Sequence, residues 1–78
     1  MARKSFLRCL GEEVRERRKA LGLSQIALAL EAEVHPNVVG RLERGEYNPT
    51  VTILELLIVP LKVDLSVLMA GAERRRSL

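Results

Sequence analysis

Asn37, Arg41 and Arg44 recur at intervals of three and four residues, which places them on one face of a helix turning 100° per residue. Pro36 and Gly40 share that arc, while Val38, Val39 and Leu42 occupy the opposite one. The polar set suits one kind of chemistry. An Arg can donate two hydrogen bonds to guanine O6 and N7, and an Asn can pair with adenine N6 and N7 in the DNA major groove. Arg41 and Asn37 are therefore candidates for direct base readout. Arg44, Tyr47 and Asn48 follow on the same segment and suit backbone phosphates, which fix register without reading sequence. No catalytic set accompanies them. The chain holds one His and one Cys with scattered carboxylates, and nothing near His35 has metal-ligand spacing. No enzyme activity, cofactor or metal is expected.

The elements that must carry these side chains are helices. A first helix is expected over residues 5–21, with Leu7, Leu10, Val14 and Leu21 as its buried stripe. Gly22 supplies a stop, and Ser24 an N-cap for a second helix over residues 25–32. Pro36 suits the first turn of a third helix, where its missing N–H is no loss, and Gly45 ends it. Leu28, Ala32, Val34, Val39 and Leu42 are spaced to form the wedge between these two helices, and Ala29 suits a close crossing. Asn48, Pro49 and Thr50 make a turn and a cap before a fourth helix beginning near Val51, which Pro60 should end or kink. Asp64 can cap a fifth helix over residues 65–70, with Gly71 as its stop and residues 72–78 a frayed basic tail.

Composition agrees with a small helical domain. Seventy-eight residues with one Phe and one Tyr must build an aliphatic core. A single cysteine excludes an internal disulfide framework and fits a reducing cytosol. No signal peptide is expected. The most apolar run, residues 51–69, is interrupted by Glu55, Pro60, Lys62 and Asp64, which argues against a membrane span. The net charge is +3. Basic residues crowd both ends, from Arg3 to Lys19 and from Arg74 to Arg76, as expected of a surface that meets nucleic acid.

Two helices joined by a short turn, the outer one carrying such a face, is the plan of a helix-turn-helix reader. Across residues 10–68 the sequence resembles the Cro and phage-repressor family of transcriptional regulators, also called the xenobiotic response element family. The resemblance rests on Leu10-Gly11, Arg18, Gly22-Leu23-Ser24-Gln25, Leu28-Ala29, Val34, Leu42-Glu43-Arg44-Gly45 and Asn48-Pro49. It implies an all-α, five-helix, lambda-repressor-like bundle with a central helix-turn-helix, a single domain over residues 1–78 with its core in 5–70.

The resemblance also implies roles. The family's base-contacting positions fall on Pro36, Asn37 and Arg41, and its phosphate-binding glutamine on Gln25. His35, just outside the third helix, suits a phosphate contact or an N-cap. Arg18 lies within the apolar arc of the first helix and needs a partner; the resemblance makes that partner Glu43. Two departures stand out. Glu33 occupies the turn position that usually holds glycine because the backbone there needs positive φ. Arg17 stands where an aliphatic residue is usual.

Ile53, Leu56, Val59, Val67 and Met69 exceed what the last two helices need for their own core face. Such a patch marks a partner surface, and the family commonly dimerises through this part. Ile26 and Leu30 form a smaller pair on the second helix. The expectation is a homodimeric regulator on a palindromic operator in double-stranded DNA, without a small-molecule ligand, in a bacterial or phage cytoplasm and associated with the nucleoid. Restriction–modification controllers, phage repressors and small antitoxins all have this form, and Val34-His35 followed by Leu42-Glu43-Arg44-Gly45-Glu46 looks nearest the controllers. The alternative is a protein-interaction module or antitoxin-like binder on the same scaffold.

Overall fold

A computed structural model describes residues 4–77. Arg3, counted above among the basic residues, and Leu78, the last of the expected tail, lie outside them. Five helices follow in order: α1 (Phe6–Ala20), α2 (Gln25–Ala32), α3 (Pro36–Glu43), α4 (Val51–Leu61) and α5 (Leu65–Arg76). Side chains cap most of them. The hydroxyls of Ser5, Ser24 and Thr50 accept the amides of Arg8, Ala27 and Ile53 at 3.2, 3.0 and 3.1 Å, each satisfying a donor that a helix start leaves free. Asp64 takes the extended N-cap conformation but makes no side-chain cap bond.

Helix α1 packs mainly on α5 and α3, and α2 on α3 and α4. The core between them is aliphatic: Leu10, Val14, Leu28, Val39, Leu42, Leu57 and Leu68 are almost wholly shielded from water, each contributing roughly 1.5–3 kcal/mol by burial. At Gly11 the α1 backbone lies so close to α3 that a Cβ would strike the Leu42 carbonyl oxygen. The buried face of α1 differs from the expected stripe. It is formed by Cys9, Leu10 and Val14, together with Gly11, Glu13 and Arg18. Leu7 is only half-buried and Leu21, beyond the last turn, is exposed. A helix flanked by two others is shielded over a wider band than one row of leucines describes.

The fifth helix is the main correction. It does not stop at Gly71 but continues to Arg76, and Ala72 is fully buried. Gly71 is a packing requirement, because a Cβ there would collide with the Glu13 carboxylate. That carboxylate accepts from Arg75 Nε at 2.8 Å and from Arg17 Nε at 2.7 Å, so Arg17 has an ionic task where an apolar residue was expected. The Arg76 guanidinium lies 5.9 Å from the Phe6 ring centroid, within range of a cation–π contact. These bonds fasten the last turns of α5 to α1.

Burial alone would push the Glu13 carboxyl up, but the hydrogen bonds from Arg75 and Arg17 outweigh it and hold the group below its ordinary value. A depressed carboxylate stabilises the fold at pH values above its ordinary unfolded pKa and loses that contribution as the pH falls through its folded value. Glu13→Gln should therefore cost about 1–3 kcal/mol at neutral pH, and the gap from the parent should narrow on acidification from pH ~5 to ~3. Urea melts at neutral and acid pH check this; a gap that stays constant would remove the clamp from the account.

Candidate nucleic-acid interface

The turn between α2 and α3 is closed by two backbone bonds, Glu33 N–H to the Leu30 carbonyl at 3.2 Å and Val34 N–H to the Ala29 carbonyl at 3.0 Å. That pairing places Glu33 in the left-handed region, with φ 58° and ψ 41°, so the glycine-like geometry is kept by a residue with a Cβ, at some conformational cost. Lys62 after α4 does the same at φ 57°. His35 is the N-cap of α3: its Nδ1 accepts the Asn37 amide at 3.1 Å, and Pro36 fills the first helical position.

From this start α3 sends Val39 and Leu42 into the core and leaves Pro36, Asn37 and Arg41 exposed. Gly40 differs from the outward placement read from the helical wheel. It is buried, and a Cβ built on it would lie 3.4 Å from the Arg44 guanidinium and 3.5 Å from Gln25 Oε1, so these two side chains cover it.

Behind the exposed face, Glu43 collects the elements that hold it. Arg18 donates from Nε to Glu43 Oε2 at 2.6 Å and from a terminal nitrogen to Oε1 at 3.0 Å, with the two side chains only 9% and 2% exposed. Arg18 also donates to the Leu23 carbonyl at 2.8 Å. Gln25 Nε2 donates to the same Glu43 Oε1 at 3.0 Å. The bonds to Glu43, set against burial, hold the Arg18 pKa above its ordinary value, so the guanidinium stays charged in its dry site. The first turn of α2, where a phosphate contact by Gln25 was expected, is thereby tied to the last turn of α3.

On the exposed side of the same end of α3, the Arg41 guanidinium donates to the Glu46 carbonyl at 3.3 Å and lies 5.6 Å from the Tyr47 ring centroid. Arg44 Nε pairs with the Glu46 carboxylate at 3.2 Å; both side chains are more than half exposed, so the pair is worth little. Sequence reasoning gave Glu46 no site role, and nothing in its type or spacing marks one. On the remote helices Leu56, Val59 and Val67 are exposed. Ile53 and Met69, assigned with them to a partner surface, are instead half-buried against the chain's own core. Among the described residues no cluster of His, Cys, Asp or Glu could hold a metal, and no helix is long and apolar enough to cross a membrane.

The profile of the helix-turn-helix family matches residues 14–68. The chain belongs to that family of DNA-binding regulators. No curated protein matches the sequence significantly. Solved structures do. The restriction–modification controller C.AhdI from Aeromonas hydrophila is 34% identical, over 80% of this chain and 94% of that one, with a TM-score of 0.77. The clp gene regulator ClgR from Corynebacterium glutamicum is 21% identical over 96% of each chain, at a TM-score of 0.90. The controller C.Esp1396I, solved as a tetramer on its natural 35 base-pair operator, is 21% identical over 96% of this chain and 99% of that one, at 0.85. The five-helix bundle expected from the sequence is thus the fold of this family.

The environment of Gly40 makes a prediction. A Cβ there meets its neighbours at ordinary contact distance, and Ala is favoured over Gly in a helix interior by about 0.5–1 kcal/mol. Gly40→Ala should stabilise the protein by that amount in urea melts. A loss of stability would mean that Gln25 and Arg44 cannot accommodate the methyl group.

Proposed function

We propose that the protein is a sequence-specific transcriptional regulator that binds a palindromic operator as a homodimer, with α3 in the major groove. The observation that carries this is the division of α3 into a core face, Val39 and Leu42, and an exposed face bearing Pro36, Asn37 and Arg41. In the proposal Arg41 and Asn37 read base edges, and Pro36 offers apolar contact to a thymine methyl. Gln25, His35, Arg44, Tyr47 and Asn48 surround the reader and contact phosphates, with the start of α2 adding its free amides and dipole. The net charge of +3 favours such contacts. The 34% identity with a restriction–modification controller supports a controller-type role, in a bacterial or phage cytoplasm.

Leu56, Val59 and Val67 are 38%, 75% and 43% exposed, and in the proposal they meet their copies across a two-fold axis. The two α3 helices would then face successive major grooves, about 34 Å apart. A second reading, a partner-binding module, draws on Ile26 and Leu30, which are 61% and 71% exposed on α2. Salt-dependent binding to a palindrome separates the two readings, because only the DNA reading releases counterions from phosphates.

Two sets of variants test the proposal. Arg41→Ala should lose ~1–3 kcal/mol on a site selected from random duplexes and relax preference at one base pair, whereas Gln25→Ala should weaken all sequences alike. Equal weakening of selected and random DNA by Arg41→Ala would sink the base-edge assignment. Val59→Glu combined with Val67→Glu should sediment as a folded monomer with weakened operator binding, since charge resists burial. A parent protein that is monomeric at tens of micromolar yet binds its palindrome tightly would contradict the dimer.

A further inference from the structure

The end of α3 is a helix-closing turn whose by-product is a seat for Arg41. Gly45 N–H bonds to the Leu42 carbonyl at 3.0 Å and Glu46 N–H to the Arg41 carbonyl at 2.9 Å, the paired pattern that terminates a helix through a left-handed residue. Gly45 is that residue, at φ 73°, and a Cβ on it would lie 3.1 Å from Arg8 Cα, so both its conformation and its approach to α1 require glycine. The turn reverses the chain beneath the last exposed side chains of α3. Glu46 is consequently bound to Arg41 twice: its amide donates to the Arg41 main chain, and its carbonyl accepts from the Arg41 guanidinium at 3.3 Å. Tyr47, next in the chain, is half-buried against the core and stands with its ring centroid 5.6 Å from the Arg41 Cζ.

We infer that the Tyr47 ring and the Glu46 carbonyl are positioning groups that hold the Arg41 guanidinium on the reader face before DNA arrives, making Tyr47 a determinant of specificity at the base pair that Arg41 reads. The inference rests on the base-reading role proposed for Arg41 and adds to it how a long side chain is aimed. An exposed Arg explores many rotamers and loses that freedom when it docks; restraint in the free protein lowers the loss. A cation–π contact restrains without using up donors, and the carbonyl takes one N–H, leaving the others for a base edge. The Tyr47 hydroxyl remains available to a phosphate, so ring and hydroxyl have separable tasks. Arg44 instead pairs with the exposed Glu46 carboxylate, which distinguishes the two arginines of one helix face.

The test measures binding to a site selected from random duplexes, to the same site changed at each base pair singly, and to random DNA, for the parent and for Arg41→Ala, Tyr47→Phe and Tyr47→Leu. Arg41→Ala identifies the base pair concerned by abolishing discrimination there. Tyr47→Leu should lower discrimination at that base pair roughly two- to fivefold while leaving the other base pairs unchanged. Tyr47→Phe, which retains the ring, should keep the discrimination whatever the hydroxyl adds to binding of all sequences. If Arg41→Ala removes discrimination and Tyr47→Leu does not, the seat has no role and the base-reading assignment stands. If Arg41→Ala removes none, the base-reading assignment falls and the role of Tyr47 falls with it. A measurement on the free parent protein guards against a Tyr47→Leu that fails to fold. The Arg41 side-chain protons should show an upfield ring-current shift by NMR, and its absence would overturn the inference.

Discussion

The Glu43 carboxylate is the point through which α1, α2 and α3 are held in register. It sits on the inner side of α3, in the same last turn as the exposed Arg41, and accepts from Arg18 of α1 and Gln25 of α2. Taking two charges out of water is costly, and a buried pair repays that only when its geometry is good and its remaining hydrogen-bonding groups are satisfied. Here the guanidinium meets both carboxylate oxygens and turns its remaining terminal nitrogen to the Leu23 carbonyl. An apolar pair could bury as much surface. It could not specify one relative placement of three helices as a set of directed bonds does, and a helix-turn-helix needs that placement because the angle between its helices decides how deeply the outer one enters a groove.

Helix α1 carries a second charged clamp nearer its start. Glu13 draws in Arg75 from the end of α5 and Arg17 from its own next turn. Through α1, therefore, the reader helix is coupled at one side and the C-terminal helix at the other. In the proposed dimer the apolar side chains of α4 and α5 set the two-fold axis, so one path from that axis to Arg41 runs from α5 through α1 and its two clamps, and the other from α4 through α2. A rigid path matters there, since the half-site spacing that a dimer accepts can be no better defined than the elements joining its readers.

What the sequence made legible was whatever depends on local chemistry. Ser24, Gly22, Pro36 and Gly45 each perform the cap or turn their residue type suggests, and the apolar spacing of Val39 and Leu42 oriented α3 correctly. Failures arose where a local signal had a tertiary cause. Gly71 has the look of a helix stop, yet its missing side chain makes room for Glu13. The bond that keeps α5 going joins residues 62 apart, and no spacing rule reaches that far. Ile53 and Met69 were surplus to one helical face but fit the half-buried margin of the core. At Glu33 the positive φ expected of that turn position is kept, closed by local backbone bonds on a residue that does not favour it, and Lys62 takes the same conformation without a signal in its type. The seat of Arg41 could not be read either, because it depends on how the Gly45 turn folds back, not on any motif.

The account stands most directly on the buried pair, and urea melts of Glu43→Ala, Arg18→Met and their combination test it. Removing Glu43 alone strands the Arg18 charge among apolar groups and frees Gln25, so a loss of about 3–5 kcal/mol is predicted. The double variant, which buries no charge, should recover much of that loss while DNA binding stays impaired, because the helices are no longer held in one arrangement. A near-neutral Glu43→Ala with unchanged DNA affinity would contradict the claim that this pair organises the reader.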